Sequence, residues 1–250
     1  MTERLDVAMV RLGLARSRSR AKSLIEAGSV TVNRTLETRP AAPVVGGDRI
    51  ELSDPDRFVS RAAHKLVSAL AESHTRVPPR VLDAGASTGG FTQVLLEAGA
   101  ERVYAVDVGH GQLAGEIRGD PRVVVWEGVN LRSLTLGHVE GHPVDLLVAD
   151  VSFISLRLLI EPLLGVLRPC GEALLLVKPQ FEVGRRGLDS RGVVRDEFAR
   201  RAAVDAVAAA ARERGRQESW RGMSRLPGES GNVEYFLKLA PVDGPVGVAD

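Results

Sequence analysis

One short segment of the chain has residue types and spacing suited to holding a charged small molecule. Residues 83–91 read Asp-Ala-Gly-Ala-Ser-Thr-Gly-Gly-Phe and follow an apolar stretch that is typical of a buried strand. Glycines in such a loop permit a tight turn and the close approach of the backbone to a ligand. The spacing is neither that of the three-glycine dinucleotide fingerprint nor that of a P-loop, because no Lys-Ser or Lys-Thr pair follows.

The first residue of this loop, Asp83, indicates the charge of the ligand. A carboxylate there repels a pyrophosphate but suits an ammonium group, which S-adenosylmethionine carries together with its sulfonium. Asp107 follows 24 residues later at the end of the next predicted strand, where a carboxylate accepts hydrogen bonds from ribose hydroxyls. The two acids favour S-adenosylmethionine as the ligand. The alternatives are a nucleotide site, or a ligand-free turn in which Asp83 caps a helix.

Two further polar residues end later predicted strands. Asp150 follows the strand predicted over 144–149, which is apolar from residue 146 onward, and Lys178 follows the apolar run 173–177 and precedes a proline. Open α/β sheets bind their ligands at the carboxyl ends of parallel strands, so both residues are candidates for chemistry. Lys65 and Glu234, taken singly, have the pattern of surface charges.

The elements that must position these residues alternate between strands and helices from about residue 60 onward. Short apolar strands separated by amphipathic helices indicate a parallel sheet covered on both faces, which is an α/β fold. Strands are predicted at 80–84, 102–106, 123–125, 144–149, 173–177 and 233–239, and helices at 61–71, 90–98, 155–167 and 195–214.

The first 53 residues have a different composition and predict a small α+β domain. Two short helices are followed by short alternating strands, and residues 11–22 hold five basic residues and no acidic one. Such a stretch suggests a nucleic-acid footprint, although a solvated helix face explains it equally well. We therefore predict a domain over residues 1–53, a linker over 54–59 and a second domain over 60–250.

Composition excludes several classes of protein. The net charge is +1 and the chain has a single cysteine, Cys170, so a disulfide within the chain and a cysteine zinc site are both excluded. The five histidines lack metal-ligand spacing, and we expect no metal. The N-terminus lacks the pattern of a signal peptide, and no apolar stretch reaches the ~18–20 residues of a membrane helix. We expect a cytoplasmic protein without a membrane partner.

With these residues in view, nearly the whole chain resembles the TlyA family of rRNA 2′-O-methyltransferases, also called haemolysin A. Its N-terminal part resembles an RNA-binding domain shared with a ribosomal protein and some pseudouridine synthases, and the rest is similar to the FtsJ-like methyltransferase fold. The segments that carry the resemblance are 4–6, 17–28, 47–50, 59–61, 64–66, 83–91, 149–156, 177–182 and 231–236.

The resemblance implies a function for each set of residues. It assigns four charged residues that are scattered along the chain to one catalytic tetrad: Lys65, Asp150, Lys178 and Glu234. It implies a Rossmann-like class I methyltransferase sheet and S-adenosylmethionine as the cofactor. Cofactor contacts are expected from Asp83, Gly85, Ala86, Ser87, Thr88, Gly89, Gly90, Phe91, Asp107, Val108, Asn130 and Asp150. RNA contacts are expected from Arg4, Arg16, Arg18, Arg20, Lys22 and Arg61.

The implied reaction is methyl transfer to a ribose 2′-hydroxyl, with cytidine as the expected nucleoside. Lys178 is expected to contact the hydroxyl, either as a neutral base or as a cation that stabilises the developing alkoxide. The partner is ribosomal RNA or a ribosomal subunit, with the large subunit favoured and the small one possible, and we expect a monomer. The chain departs from the family pattern at Ala62, where glycine is usual, and in a short linker.

Three other functions remain as alternatives. They are a non-catalytic RNA-binding protein, a pore-forming haemolysin, and an enzyme that acts on a small molecule with a methyl donor or NAD. The intact glycine loop argues against the first, and the lack of a membrane segment argues against the second. An enzyme that acts on a small molecule would have no use for the basic N-terminal region, which argues against the third alternative.

Overall fold

The computed structural model describes residues 2–15, 17–26, 28–33, 35–52, 58–228 and 230–242. Most of the predicted linker, residues 54–57, and the predicted RNA contact Arg16 lie outside the described residues. The chain divides into two compact units, residues 1–61 and 62–250. No described helix has the length and apolar character needed to cross a membrane.

In its described residues, the first unit is a small α+β fold with two helices and two short sheets. Its elements are β1 (Thr2–Arg4), α1 (Leu5–Arg11), α2 (Arg18–Glu26), β2 (Val30–Val32), β3 (Thr35–Leu36), β4 (Pro43–Val45) and β5 (Ile50–Leu52). Strand β1 pairs with β4, and β2 lies between β3 and β5, all antiparallel.

Apolar side chains from both helices and from the strands form the core of this unit. Leu5 and Met9 of α1 and Ile25 of α2 have no exposed surface, and their spacing places them on one side of each helix. Helix α2 begins after Ser17, whose Oγ accepts a hydrogen bond from the Arg20 amide at 3.2 Å. A serine at this position satisfies an otherwise unpaired amide of the first turn.

Over the residues that the structure describes, the second unit is built around a seven-stranded sheet. Its elements are α3 (Ala62–Glu72), β6 (Arg80–Ala84), α4 (Gly90–Glu97), β7 (Arg102–Val106), α5 (Gly115–Arg118), β8 (Val123–Trp126), β9 (Val144–Ala149), α6 (Ile160–Gly165), β10 (Leu167–Val177), α7 (Pro179–Glu182), α8 (Glu197–Arg212), β11 (Arg216–Met223) and β12 (Tyr235–Pro241).

The order of the strands determines which residues meet at one edge of the sheet. The order is β11-β12-β10-β9-β6-β7-β8, and the five strands from β10 to β8 are parallel. The carboxyl ends of these five strands therefore lie at the same edge. Strand β12 is antiparallel to β10, with Tyr235 opposite Val177. The beginning of β12 consequently lies at that edge too, and we call it the site edge.

Helices cover both faces of the sheet. Helices α6 and α8 share one core with alternate strand residues such as Leu82 and Leu147. The intervening residues face α3 and α4, where the Phe91 and Phe236 rings stack with centroids 6.2 Å apart. Alternation of side chains between the faces of a strand explains why these strands carry apolar residues on both faces. This arrangement confirms the predicted α/β fold.

The structure corrects several predicted elements. The helix predicted over 155–167 is a 3₁₀ turn at Leu156–Leu158 followed by the short α6, and strand β10 already begins at Leu167. Strand β11 was not predicted, because its sequence, residues 216–223, is largely polar and lacks a clean alternation. Strands β1, β3 and β4 are two or three residues long and were missed as well. Such short elements depend on tertiary pairing more than on local pattern.

Candidate active site

The glycine loop connects β6 with α4 at the site edge. Gly85 has a φ of +87°, and its amide donates to the Val106 carbonyl at 2.8 Å. A Cβ atom at Gly85 would lie 2.5 Å from the backbone oxygen of Asp150. Gly89 has a φ of +96° and begins α4 as its N-cap. The loop therefore needs glycine at both positions, and it packs directly against the strand end that carries Asp150.

Asp83 lies beneath this loop as a fully buried acid. Its Oδ2 accepts a hydrogen bond from the Thr92 hydroxyl at 2.6 Å, while its Oδ1 has no hydrogen-bond partner among the described residues. Burial raises the pKa of Asp83 to about 7, and the nearby carboxylate of Asp150 adds to the rise. A buried acceptor without a partner is costly, and such groups concentrate at functional sites. It is the acceptor expected for a ligand that carries an ammonium group.

Asp83 gives a testable dependence of stability on pH. The folded protein holds the Asp83 proton up to a pKa of about 7, whereas an exposed aspartate releases it near pH ~4. The resulting stabilisation is fully present below pH ~4 and is lost as the pH rises through about 7. The side chain of Asp83→Asn cannot ionise, so the unfolding free energy of this variant should not fall over that pH range. In the wild type the fall should be a few kcal/mol, as linkage requires. Urea unfolding of both proteins at acidic and alkaline pH measures it.

The control for this measurement is the exposed carboxyl group of Glu101. Glu101→Gln should retain the wild-type decline in unfolding free energy between the two pH values. An Asp83→Asn variant whose stability declines as steeply as that of the wild type would contradict the assigned titration.

Asp107 follows β7 and closes the other side of the loop. Its Oδ2 accepts from the Ser87 amide at 2.9 Å and its Oδ1 from the Gly109 amide at 2.7 Å. The Val129 amide binds the Asp107 carbonyl at 3.0 Å, which brings Asn130 to the same region. Val108, next to Asp107, is 68% exposed. An exposed apolar side chain beside a carboxylate suits a nucleoside, with the ribose at the acid and the base against the valine.

The other loop residues differ in accessibility. Ser87 and Thr88 are exposed, whereas Ala86, Gly90 and Phe91 are buried. Phe91 packs in the core against Phe236, so its contribution to a ligand site is limited to its backbone. With the glycine cradle and the unpaired Asp83 oxygen, the loop fits S-adenosylmethionine, which Asp83, Asp107 and the loop backbone would hold.

The first pair of the predicted tetrad is formed at the ends of two neighbouring strands. The Lys178 ammonium nitrogen, after β10, lies 2.6 Å from Oδ1 of Asp150, after β9. Both side chains are largely buried, at 11% and 15% exposure. Lys178 donates a hydrogen bond to the Ser152 hydroxyl at 2.7 Å, whereas its contact with Asp150 is an ion pair. Asp150 in turn contacts the glycine loop, so the pair adjoins the candidate cofactor site.

The second pair joins a helix to the start of the last strand. The Lys65 ammonium nitrogen, on α3, donates to Oε2 of Glu234 at 2.6 Å. Glu234 directly precedes β12, and Tyr235 lies opposite Val177, so register places Glu234 beside Lys178. Burying two ion pairs costs more than packing apolar side chains of similar size. Their presence at the site edge therefore indicates a functional arrangement.

Ser152 and Glu182 are site residues that sequence reasoning missed. Glu182, at the end of α7, is 2% exposed and joins the segments that follow β9 and β10. Its carboxylate accepts from the Ser155 hydroxyl at 2.5 Å, the Leu156 amide at 2.7 Å and the Arg157 guanidinium at 3.3 Å. Glu182 lies within the family motif after Lys178, which is the only signal that marked it.

We expect Glu182→Ala to loosen the segment that carries Asp150 and Ser152. Three hydrogen bonds to a buried carboxylate disappear, and the unfolding free energy should fall by about 2–4 kcal/mol. Thermal denaturation measures this loss. The matched control is Glu161→Ala on α6, which removes an exposed pair with Arg214 and should cost less than about 1 kcal/mol. Equal losses in the two variants would refute the role of Glu182.

The residues of the first unit that are predicted to contact RNA differ in whether they pair with an acidic side chain. Arg4 pairs with Asp6 through two bonds of 3.0 Å, and Arg18 reaches the same carboxylate at 3.2 Å. The Arg4 hydrogen bonds are the main reason that the pKa of Asp6 falls to about 2. Lys22 lies 3.8 Å from Glu26. Arg20 and Arg61 are exposed and have no ion pair with another described residue.

The fold and this site define a class of protein. A mostly parallel sheet with a glycine loop after its central strand, a ribose-type acid after the next strand and charged pairs at the same edge together describe a methyltransferase. A family profile described as FtsJ-like methyltransferase matches residues 58–240, and one described as S4 domain matches residues 3–50.

Known proteins narrow this class further. The chain is 49% identical over 239 residues to the 16S/23S rRNA (cytidine-2'-O)-methyltransferase TlyA of Mycobacterium tuberculosis. This alignment covers 94% of this chain and 89% of that protein. It is 37% identical to the 23S rRNA (cytidine-2'-O)-methyltransferase TlyA of Campylobacter jejuni, over 72% of this chain and 69% of that protein.

A solved structure agrees with these relatives. A Streptococcus thermophilus protein with a provisional hemolysin name has a TM-score of 0.74 and 36% identity, over 98% of this chain and 90% of that one. The chain belongs to the TlyA family of FtsJ-like methyltransferases with an N-terminal S4 domain. Its cofactor is S-adenosylmethionine, as predicted.

Proposed function

We propose that this protein methylates the 2′-hydroxyl of a cytidine in ribosomal RNA. The observation that carries the proposal is the meeting of two nearly buried lysine–carboxylate pairs with the glycine loop at the site edge. The two curated relatives act on cytidine 2′-oxygens according to their names. A ribose hydroxyl becomes a better nucleophile when a positioned cation stabilises the charge that develops on its oxygen, and the lysine pairs supply such cations.

Lys178 is the residue that we assign to the target hydroxyl. S-adenosylmethionine, when bound, supplies an electrophilic methyl group on its sulfonium. Two partners, the Asp150 carboxylate and the Ser152 hydroxyl, hold the Lys178 ammonium group in place. This arrangement favours the cationic role over that of a neutral base. Lys178 donates a hydrogen bond to the hydroxyl oxygen and stabilises its developing negative charge, while the hydroxyl proton passes to solvent water.

Lys65 and Glu234 have a supporting role in this proposal. A free Lys65 charge next to Lys178 would repel it, but Glu234 offsets that charge at 2.6 Å. The pair also joins α3 to the start of β12 and so holds the wall of the site beside Lys178. We assign Glu234 to orienting Lys65, and Lys65 to a second contact with the target ribose.

The high exposure of the Phe153 side chain supports the proposal that the substrate is RNA. It follows Ser152, has a φ of +65°, and is 91% exposed, with its ring 5.3 Å from that of Phe181. A bulky residue at positive φ is strained, and such strain concentrates at functional sites. Proteins that bind unpaired nucleotides stack the bases on exposed aromatic rings. We assign Phe153 to the base of the target nucleotide.

Phe153→Ala should raise the KM for RNA by about ten- to a hundredfold, since stacking on an aromatic ring contributes about 1–3 kcal/mol per base. The affinity for S-adenosylmethionine should stay unchanged. Steady-state methyl transfer with an rRNA fragment measures both effects. Phe153→Trp should retain the wild-type KM because it keeps the ring, while Phe153→Leu should resemble alanine. A leucine variant with wild-type KM would refute stacking.

The substrate that we propose is large-subunit rRNA in the cytoplasm, with the protein acting as a monomer. The names of both relatives include 23S rRNA, while only one includes 16S rRNA. The test is transfer of a labelled methyl group to purified large and small subunits from a strain that lacks the modification. We expect label in the large subunit. Label in neither subunit, with the protein folded, would refute the proposed function.

A further inference from the structure

A second group of arginines lies on the second unit, residues 62–250, which carries the candidate active site and is called here the catalytic unit. It is separate from the basic residues of the first unit, which contains the S4 domain. The segment between α7 and α8, residues 184–195, is called here the arginine loop. Arg185 and Arg191 are exposed in this loop, and neither side chain has an ion pair or hydrogen bond with another described residue. Most arginines of the described chain, by contrast, contact an acid, as Arg102 does with Glu140 and Arg122 with Asp120.

The backbone of the arginine loop is held in a defined shape. The Asp189 carboxylate accepts from the amides of Arg191 at 2.8 Å and Val193 at 2.9 Å, and from the Arg195 guanidinium at 2.9 Å. These bonds, the Val193 amide foremost, lower the pKa of Asp189. The ion pair of Asp189 is with Arg195, and the side chains of Arg185 and Arg191 have no ion pair with this carboxylate.

The loop is also fastened to the catalytic site. Asn232, which is 3% exposed, accepts from the Val194 amide at 3.0 Å and donates to the Gly192 carbonyl at 3.0 Å. Asn232 lies two residues before Glu234, the partner of Lys65. At its other end the loop begins at residue 184, two residues past the end of α7, and Lys178 directly precedes α7. The arginine loop therefore borders the site edge at both ends.

Unpaired guanidinium groups on a fixed loop suit a phosphodiester backbone. Arginine binds phosphate through two parallel hydrogen bonds, and a preformed loop loses little conformational entropy on binding. We propose that Arg185 and Arg191 bind phosphates of the RNA strand next to the target nucleotide. The inference rests on the proposed function, and it gives the catalytic unit an RNA contact of its own.

The test compares two double variants of the full-length protein with equal changes of charge. The first is Arg185→Glu with Arg191→Glu. The matched control is Arg76→Glu with Arg212→Glu, which replaces two exposed arginines that also lack ion pairs among the described residues. Arg76 precedes β6 and Arg212 ends α8, just before the start of β11 opposite Pro241. Both control residues therefore lie away from the site edge.

The measurement is the Kd for a protein-free rRNA fragment at several salt concentrations. For the loop variant we expect binding at least about tenfold weaker, and a slope of log Kd against log salt that is flatter by about 1.5 than that of the wild type. The control should keep the wild-type slope. S-adenosylmethionine should bind all three proteins equally.

Three outcomes would overturn the inference. One is an equal slope for the loop variant and the wild type, and another is an equal loss in both double variants. The third is weaker activity of the loop variant on intact subunits with unchanged binding to protein-free RNA, which would assign the loop to an acidic protein surface. Failure of the proposed function is distinct, since the wild type would then methylate no rRNA.

Discussion

Lys178→Ala is expected to lower methyl transfer by about a hundred- to a thousandfold, the cost of removing one donor that stabilises a developing negative charge. The loss should appear in kcat, because the proposed contact strengthens as the hydroxyl loses its proton. Binding of S-adenosylmethionine should be unchanged, since the glycine loop and Asp107 do not depend on this side chain. Single-turnover assays together with calorimetric titration of the cofactor separate the two effects.

The variant also leaves the Asp150 carboxylate without its partner, so a loss of stability must be separated from a loss of chemistry. Lys238→Ala is the matched control, since Lys238 has the same 11% side-chain exposure and pairs with Glu172 at 3.0 Å within the same sheet. It should lower the melting temperature to a similar extent while turnover per folded molecule remains normal. A Lys178→Ala protein that is folded and turns over at the wild-type rate would contradict the assigned role.

Gly85→Ala is expected to weaken the binding of S-adenosylmethionine by about a hundredfold or more, equivalent to about 3 kcal/mol. The new Cβ would lie 2.5 Å from the Asp150 backbone oxygen, and the φ of +87° disfavours any side chain. Relief of this clash must displace either the cofactor loop or the strand end that carries Asp150. Calorimetric titration with the cofactor measures the expected loss, which methyl transfer should share.

Gly99→Ala separates backbone strain from the clash. Gly99 has a φ of +100° but nothing within 4 Å of the added Cβ. The control should cost about 1 kcal/mol of stability and leave the affinity for the cofactor unchanged. If Gly85→Ala bound S-adenosylmethionine within threefold of the wild type, the close approach of loop and strand would have no part in the cofactor site.

The sequence predicted the central strands well because each is a short apolar run between helices. Strands β6, β7 and β9 begin and end where predicted, and the glycine loop and Asp107 follow from them. By contrast, β10 begins six residues before its predicted start, since Pro169 and Gly171 within Leu167–Val177 suggested a turn. The structure accommodates these residues in an irregularity of the β9–β10 pairing between Leu167 and Glu172.

The residues that form the candidate site were harder to predict from sequence patterns than the strands were. Lys65 and Glu234 are 169 residues apart in the chain, and only the family resemblance joined them in the prediction. Glu182 and Ser152 make their hydrogen bonds between the segments that follow β9 and β10. Such side-chain partners depend on tertiary packing and carry no periodic signal. The pairing of Arg4 and Arg18 with Asp6 was likewise absent from the sequence pattern, because Asp6 lies outside the basic stretch 11–22 and meets Arg18 only in the folded unit.

The most direct test of the central claim is the identity of the methylated nucleoside. Unmodified ribosomal subunits are incubated with the protein and deuterium-labelled S-adenosylmethionine, and the rRNA is digested to nucleosides for mass spectrometry. We expect the label in 2′-O-methylcytidine, and only background label when Lys178→Ala replaces the wild type. Label on a nucleobase, or undiminished ribose labelling by the variant, would contradict a site in which Lys178 and its partners act on a ribose hydroxyl.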